Sequence, residues 1–251
     1  MRHTLSPWQA HARQRIAVGL PGPVPAPDTM RWTQRPGSGP GAEILGDVRD
    51  KDVLELGCGA GHNLAHLAAH RCAFAIGVDQ AGLQIRRART YYGHIANMAF
   101  IAQDALAYLR TCPATFDVVY SVFGAIGLAP PTPLLRETTA VLKGGGLVAF
   151  SVPHPRRHGR RPANRAVLQH ITLPDGLRAS VLRWELTVER WLRSLNAAGL
   201  VPTGVREIFP PGGGPWPTTL LITAQALTGD AREPTPPATG HRRRPDTVPR
   251  R

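Results

Sequence analysis

The chain has 251 residues and a formal net charge of +13, a length that suits one α/β domain with additions or at most two small domains. No window approaches the roughly 18 consecutive apolar residues of a membrane-spanning helix, and the arginines near the N-terminus (Arg2, Arg13, Arg15) flank a polar stretch rather than the apolar core of a signal peptide. The three cysteines, Cys58, Cys72 and Cys112, follow no zinc-ligand spacing, so no metal site is expected and a reduced, cytoplasmic protein is the simplest reading.

Residues 1–41 read as a cap. Ser6-Pro7 before Trp8–Ile16 has the pattern of a capped helix with proline in its first turn. A loop with Trp32 and a Gly/Pro-rich stretch follows, then a short helix near Ala42–Gly46. Residues 42–153 then alternate. Strands are expected at Asp52–Leu56, Phe74–Val78, Ala99–Ala102, Phe116–Val122 and Gly146–Val152, and helices at Asn63–His70, Leu83–Tyr92, Ala105–Thr111 and Thr132–Leu142. The strands are nearly continuous apolar runs, as buried parallel strands are. The alternation predicts a Rossmann-like, doubly wound sheet. Residues 154–185 open with His154-Pro-Arg-Arg-His-Gly-Arg-Arg-Pro162, which is expected to be irregular, and read as an inserted substrate cap. Residues 186–228 hold a helix at Thr187–Ala198 and two strands, Val201–Phe209 and Thr218–Ala226, joined without a helix. They predict an antiparallel hairpin at the sheet edge, giving seven strands in all. Residues 229–251, rich in proline and arginine, are expected to be a disordered basic tail.

The most informative segment is Val53–His62. A short apolar strand feeds the loop Gly57-Cys58-Gly59-Ala60-Gly61, and a helix follows. Glycines let backbone approach a ligand, and the helix start offers free N–H groups. Asp79 closes the next apolar run, with Gln80 beside it, where a carboxylate suits the hydroxyls of a ribose. The spacing is G-x-G-x-G rather than G-x-G-x-x-G, which disfavours a dinucleotide enzyme, and no Gly-Lys-Ser/Thr follows, which excludes a Walker-type loop.

On these residues, over roughly 42–227, the chain resembles the class I S-adenosylmethionine (SAM)-dependent methyltransferases. Glu55-Leu-Gly-Cys-Gly-Ala-Gly61 looks like their first motif, and Asp79 ends the second strand like their ribose-binding acid. Gln103-Asp104-Ala105 follows the third strand, Phe116–Ser121 looks like the fourth, and Val141–Leu147 resembles the "LKPGG" turn with Gly144 in place of proline. The resemblance implies S-adenosyl-L-methionine as cofactor. It places Glu55, Gly57, Cys58, Gly59 and Gly61 at the loop, Asp79 and Gln80 at the ribose, Asp104 and the Ala105 N–H at the adenine, and Ser121 and Phe123 beside the methionyl part. Trp32 is a candidate lid over the sulfonium or a packing residue of the N-terminal arm.

His154, after the fifth strand at the carboxyl edge of the sheet, is the candidate catalytic base; otherwise it only shapes a turn between two prolines. Arg156 and Arg157 are candidates for binding an anionic substrate, or belong to a solvated loop. The net basic charge suits nucleic acid, but no aromatic series interleaves with it and no paired-proline motif follows the fourth strand. Only Lys51 and Lys143 are lysines, so the arginine excess also fits a codon bias. A small-molecule acceptor in specialised metabolism is therefore the main reading, with methyl transfer to N, O or C. An RNA or tRNA methyltransferase and a non-catalytic SAM-binding sensor stand as alternatives. The acceptor and the oligomeric state are not encoded legibly.

Overall fold

A computed structural model describes residues 6–228, apart from Pro36 and Arg71; the expected basic tail lies outside the described residues. The first helix, α1 (Pro7–Ala17), starts as its sequence predicts, with the Ser6 hydroxyl accepting from the Gln9 N–H at 3.3 Å. A 3-10 turn, Ala42–Leu45, precedes the sheet. Strands β1 (Asp52–Leu56), β2 (Phe74–Asp79), β3 (Met98–Ala102), β4 (Phe116–Val122) and β5 (Leu142–Pro153) alternate with helices α2 (His62–Ala69), α3 (Gly82–Tyr92), α4 (Ala105–Thr111) and α5 (Pro131–Ala140).

Two strands then follow that were not expected as such, β6 (Arg165–Thr172) and β7 (Arg178–Glu185). Helix α6 (Val188–Ala197) leads into β8 (Leu200–Ile208) and β9 (Thr219–Ala226). The main sheet has seven strands in the order β3-β2-β1-β4-β5-β9-β8. β1 to β5 pair in parallel, whereas β9 is antiparallel to both β5 and β8. The doubly wound sheet with its C-terminal antiparallel hairpin is thus as expected.

Strand periodicity divides the core into two layers, because successive side chains point to opposite faces. Leu54, Val119 and Phe150 pack with α4, α5 and α6, where Trp191 sits 5.0 Å from Phe150 between ring centroids. Val53, Val118 and Ala149, one residue earlier in each strand, pack with α2, α3 and the N-terminal segment. The glycine turn expected before the fifth strand lies inside β5 instead. The β4–β5 register shifts between Phe116 and Val118, from partners Leu142 to Leu147, so Lys143–Gly146 is absorbed as an irregularity. β6 and β7 form a separate antiparallel pair. A backbone hydrogen bond from Trp184 to the Gly127 carbonyl (2.8 Å) ties β7 to the loop after β4. α1 spans from the sheet helices to this pair: Gln9 accepts from the Leu83 N–H at 3.0 Å, and Gln14 exchanges hydrogen bonds with Asp175. Among the described residues no helix is long and apolar enough to cross a membrane.

Candidate functional site

At the carboxyl ends of β1, β2 and β4 lies a cleft of about 810 Å³. Its floor is the loop after β1. Gly57 has φ 79°, and a Cβ there would meet Ala125 N and Gly124 Cα at 2.6 Å. Only glycine lets the loop after β4 close on the end of β1. That closure is held by the Leu56 carbonyl, which accepts from the Ser121 hydroxyl (2.7 Å) and the Ala125 N–H (3.2 Å). Gly61 starts α2 at φ 78°, where a Cβ would strike the Phe100 ring at 2.6 Å.

Asp79 is the electrostatic centre of the floor. Its carboxylate accepts from the Gly59 N–H at 2.9 Å and the Ala81 N–H at 2.8 Å. Burial raises its pKa, and these two bonds lower it. Each oxygen can accept a further hydrogen bond, and Asp79 lines the cleft. Glu55 also lines the cleft and accepts from the Tyr120 hydroxyl at 3.0 Å. Burial, reinforced by the Asp79 charge, pushes the Glu55 carboxyl up to about 8. Asp104 caps α4, one oxygen accepting from the Ala107 N–H at 3.0 Å. The Ala105 N–H lies in the first helical turn, where no intrahelical acceptor exists.

The structure brings Glu55, Gly57, Cys58, Gly59, Asp79, Gln80, Asp104, Ala105 and Phe123 together around this one cleft. Phe123 sits at its edge in a left-handed conformation, φ 49°, a costly state for a bulky residue. Other expected residues fall elsewhere. Gly61 packs on Phe100 behind the loop. Ser121 is fully buried, and its hydroxyl also accepts from the Ile126 N–H at 3.2 Å, so it ties backbone together rather than facing a ligand. Trp32 is not a lid. It is 0% exposed, its indole N–H donates to the Gly41 carbonyl at 2.8 Å, and it meets Tyr120 edge-on within the core.

His154 is displaced from the role of base by its own hydrogen bonds. Its Nδ1 accepts from the Arg156 N–H (3.1 Å) and its Nε2 contacts Glu207 (2.9 Å). The first bond fixes the tautomer, so Nε2 carries the proton and donates to the carboxylate, leaving no lone pair to receive another. Burial lowers its pKa against the pull of Glu207. It borders a separate hollow with Thr187 and Glu207 rather than the cleft. Arg156 pairs with Glu207 at 3.2 Å, and Arg157 bonds the His154 carbonyl (3.0 Å) and Glu185 (3.5 Å). Neither reaches the main cleft; both fasten this turn to β7 and β8.

Sequence reasoning missed the N-terminal wall of the cleft: Trp8, Arg31, Thr33, Gln34, and with them His62. His62 is held by Tyr92 at 2.6 Å and depressed in pKa by burial and by Arg87 and Arg31. The first four lie in the segment read as a cap, where no periodicity marked which side chains turn inward, and His62 closes the glycine-loop run without having been singled out.

Residues 53–146 match the family model of a methyltransferase domain. A ubiquinone biosynthesis O-methyltransferase from Neisseria meningitidis serogroup C is 30% identical over 108 residues, 42% of this chain and 45% of that protein. The chain therefore aligns with less than half the length of the curated relatives it matches. A SAM-dependent methyltransferase structure from Mesorhizobium loti superposes with TM-score 0.57 at 21% identity, covering 72% of this chain and 94% of that one. The Burkholderia thailandensis 1,6-didemethyltoxoflavin-N1-methyltransferase, solved with its acceptor and S-adenosylhomocysteine, gives 0.52 at 21% identity, covering 74% of each chain. These two structural likenesses carry the fold. Over residues 53–146 the chain is similar to the methyltransferase-domain family, and its fold is that of the class I SAM-dependent methyltransferase structures.

Proposed function

We infer that the protein is a SAM-dependent methyltransferase acting on a small-molecule acceptor. The observation that carries this is the convergence of the glycine-loop backbone, Asp79, Asp104 and the Ala105 N–H on one cleft of about 810 Å³, a size suited to a small ligand and its partner. These groups fit the cofactor. Asp79 has lone pairs for the two ribose hydroxyls, a charge-assisted arrangement. Asp104 has an oxygen left for an exocyclic amine, and the Ala105 N–H is free to donate to the ring. The unbranched backbone at Gly57 and Gly59 leaves room for an amino acid portion. When bound, the sulfonium supplies an electrophilic methyl and a neutral leaving group.

The chain's own part is then to align and to exclude water. Phe123 and the Gly124–Pro130 loop wall the cleft beside β4, and Trp8 and the Arg31–Gln34 segment wall it from the N-terminal side. Residues 42–153 act as the cofactor-binding core, 186–228 complete its sheet, 1–41 wall the acceptor side, and 154–185 back the loop after β4 through the Trp184–Gly127 bond. The free thiols Cys58, Cys72 and Cys112 support a reducing compartment such as the cytoplasm.

Calorimetry with S-adenosylhomocysteine tests the reading. Saturable one-to-one binding to the folded protein is expected, and its absence overturns the assignment.

A further inference from the structure

Strand β7 buries an arginine. Arg183 is 3% exposed, while Leu182 beside it is 54% exposed and Leu168, the cross-strand partner of Leu182, is 71% exposed. A one-residue slip would exchange the faces and bury the leucines. Val181, 6% exposed on the face that carries Arg183, favours the observed register, so Arg183 is a charged member of a largely apolar inward face. Two guanidinium nitrogens, Nε and Nη1, are buried with no hydrogen-bond partner among the described residues. Glu185, two positions along the same face, is already engaged by Arg157 (3.5 Å) and by the Ala163 N–H (3.0 Å). Arg157 adds a second positive charge, and burial together with that charge pulls the Arg183 guanidinium down to about 10. An uncompensated buried cation is strongly unfavourable, and buried polar groups ordinarily find partners.

The position of this cation points to its use. A Cβ on Gly127 would lie 3.9 Å from Arg183 Nη1 and 2.8 Å from Val152 Cγ1, so the guanidinium sits under Gly127 at the end of β5. The flanking residues Ala125 and Leu128 line the main cleft. Arg183 is therefore one loop thickness behind the cleft wall, on the β5 side and away from Asp79 on β2.

The geometry assigns Arg183 as the seat of an anion site between β7 and the Ala125–Leu128 loop, taking a carboxylate or phosphate group of the acceptor. The guanidinium offers such a group N–H donors, with Nε and Nη1 the two buried without a protein partner among the described residues. The acceptor part rests on the methyltransferase reading; the anion site itself does not.

The test is thermal denaturation in inorganic phosphate against sodium chloride of equal ionic strength, with and without saturating S-adenosylhomocysteine. Wild type is expected to gain several degrees in phosphate over chloride. Arg183→Met is expected to start at or above the wild-type midpoint in chloride and to show no phosphate gain. Arg156→Ala, altered at an exposed arginine paired with Glu207, keeps the wild-type response. A wild type indifferent to phosphate, or an Arg183→Met response equal to wild type, overturns the site. Should Arg183→Met fail to fold, Arg183→Lys serves, with phosphate affinity expected to fall about tenfold because the Nε and Nη1 donors are replaced by one ammonium; unchanged affinity overturns the site. An acceptor group predicts that S-adenosylhomocysteine shifts phosphate affinity by about fivefold or more. Equal affinity in both arms overturns the acceptor assignment in favour of a free inorganic anion. Calorimetry on the same samples separates the two readings: failure of wild type to bind S-adenosylhomocysteine refutes the methyltransferase reading, while the phosphate response alone decides Arg183.

Discussion

Replacing Asp79 with alanine tests two roles of one carboxylate. In the free protein the carboxylate satisfies the N–H groups of Gly59 and Ala81. Ala81 is 0% exposed, so its N–H has no water to replace Asp79 and bears the full cost of an unmade bond, about 1–3 kcal/mol. The Gly59 N–H borders the cleft, where water substitutes, and costs roughly 0.5–1 kcal/mol. Relief of the burial penalty that raises the Asp79 pKa offsets part of this, leaving about 2 kcal/mol of lost stability. For a domain of this size that is roughly 4–8 °C in Tm, so the variant stays folded. Cofactor-product affinity should fall further, since a charged partner of two hydroxyls contributes about 1.5–3 kcal/mol per bond. A loss of roughly one hundredfold or more is expected. Urea denaturation of the free protein and calorimetric titration with S-adenosylhomocysteine measure the two effects separately. Unchanged stability would refute the part assigned to Ala81, and unchanged affinity would remove Asp79 from the ligand.

Glu55 carries a pH prediction. Its folded pKa of about 8 lies above the ordinary 4.5, so between these values the folded state holds a proton that the unfolded chain has released. Stability contributed at this group is therefore present below about pH 4.5 and declines as pH rises toward 8, by several kcal/mol at most. Glu55→Gln, which still accepts from Tyr120, should flatten that part of the profile; an equally steep decline in denaturation curves at pH 5 and 8.5 would assign it to other groups. Gly57→Ala forces a Cβ to within 2.6 Å of the Gly124–Ala125 backbone at φ 79°. It should cost at least about 2 kcal/mol and reduce S-adenosylhomocysteine binding; a variant of wild-type Tm and affinity would show that the two loops do not need to touch. His154→Ala leaves the Arg156 N–H without its acceptor and removes one of the two partners of Glu207. It should lower stability by about 1–3 kcal/mol with cofactor affinity unchanged and methyl transfer within a few-fold below its Tm. A stable variant with abolished turnover would restore His154 as a base.

The order of strands and helices through the core was legible because it depends on local physics. Apolar runs such as Val53–Leu56 bury on both faces, glycines such as Gly57 permit conformations other residues resist, and Ser6 supplies a side-chain cap where its position suggested. The same locality made the loop, Asp79, Asp104 and Phe123 readable as one site, since parallel strands deliver their carboxyl ends to a common edge. What the tertiary structure alone decided is partnership. Trp32 is a core residue because Gly41 and Tyr120 take it up. His154 is unavailable as a base because Arg156 and Glu207, the latter fifty-three residues away, occupy both ring nitrogens. The β6–β7 pair was hidden because its alternation is broken, with Leu168 and Leu182 outside and Arg183 buried beside Val181. Period and composition report which faces are apolar; they carry no record of which distant groups meet a buried side chain.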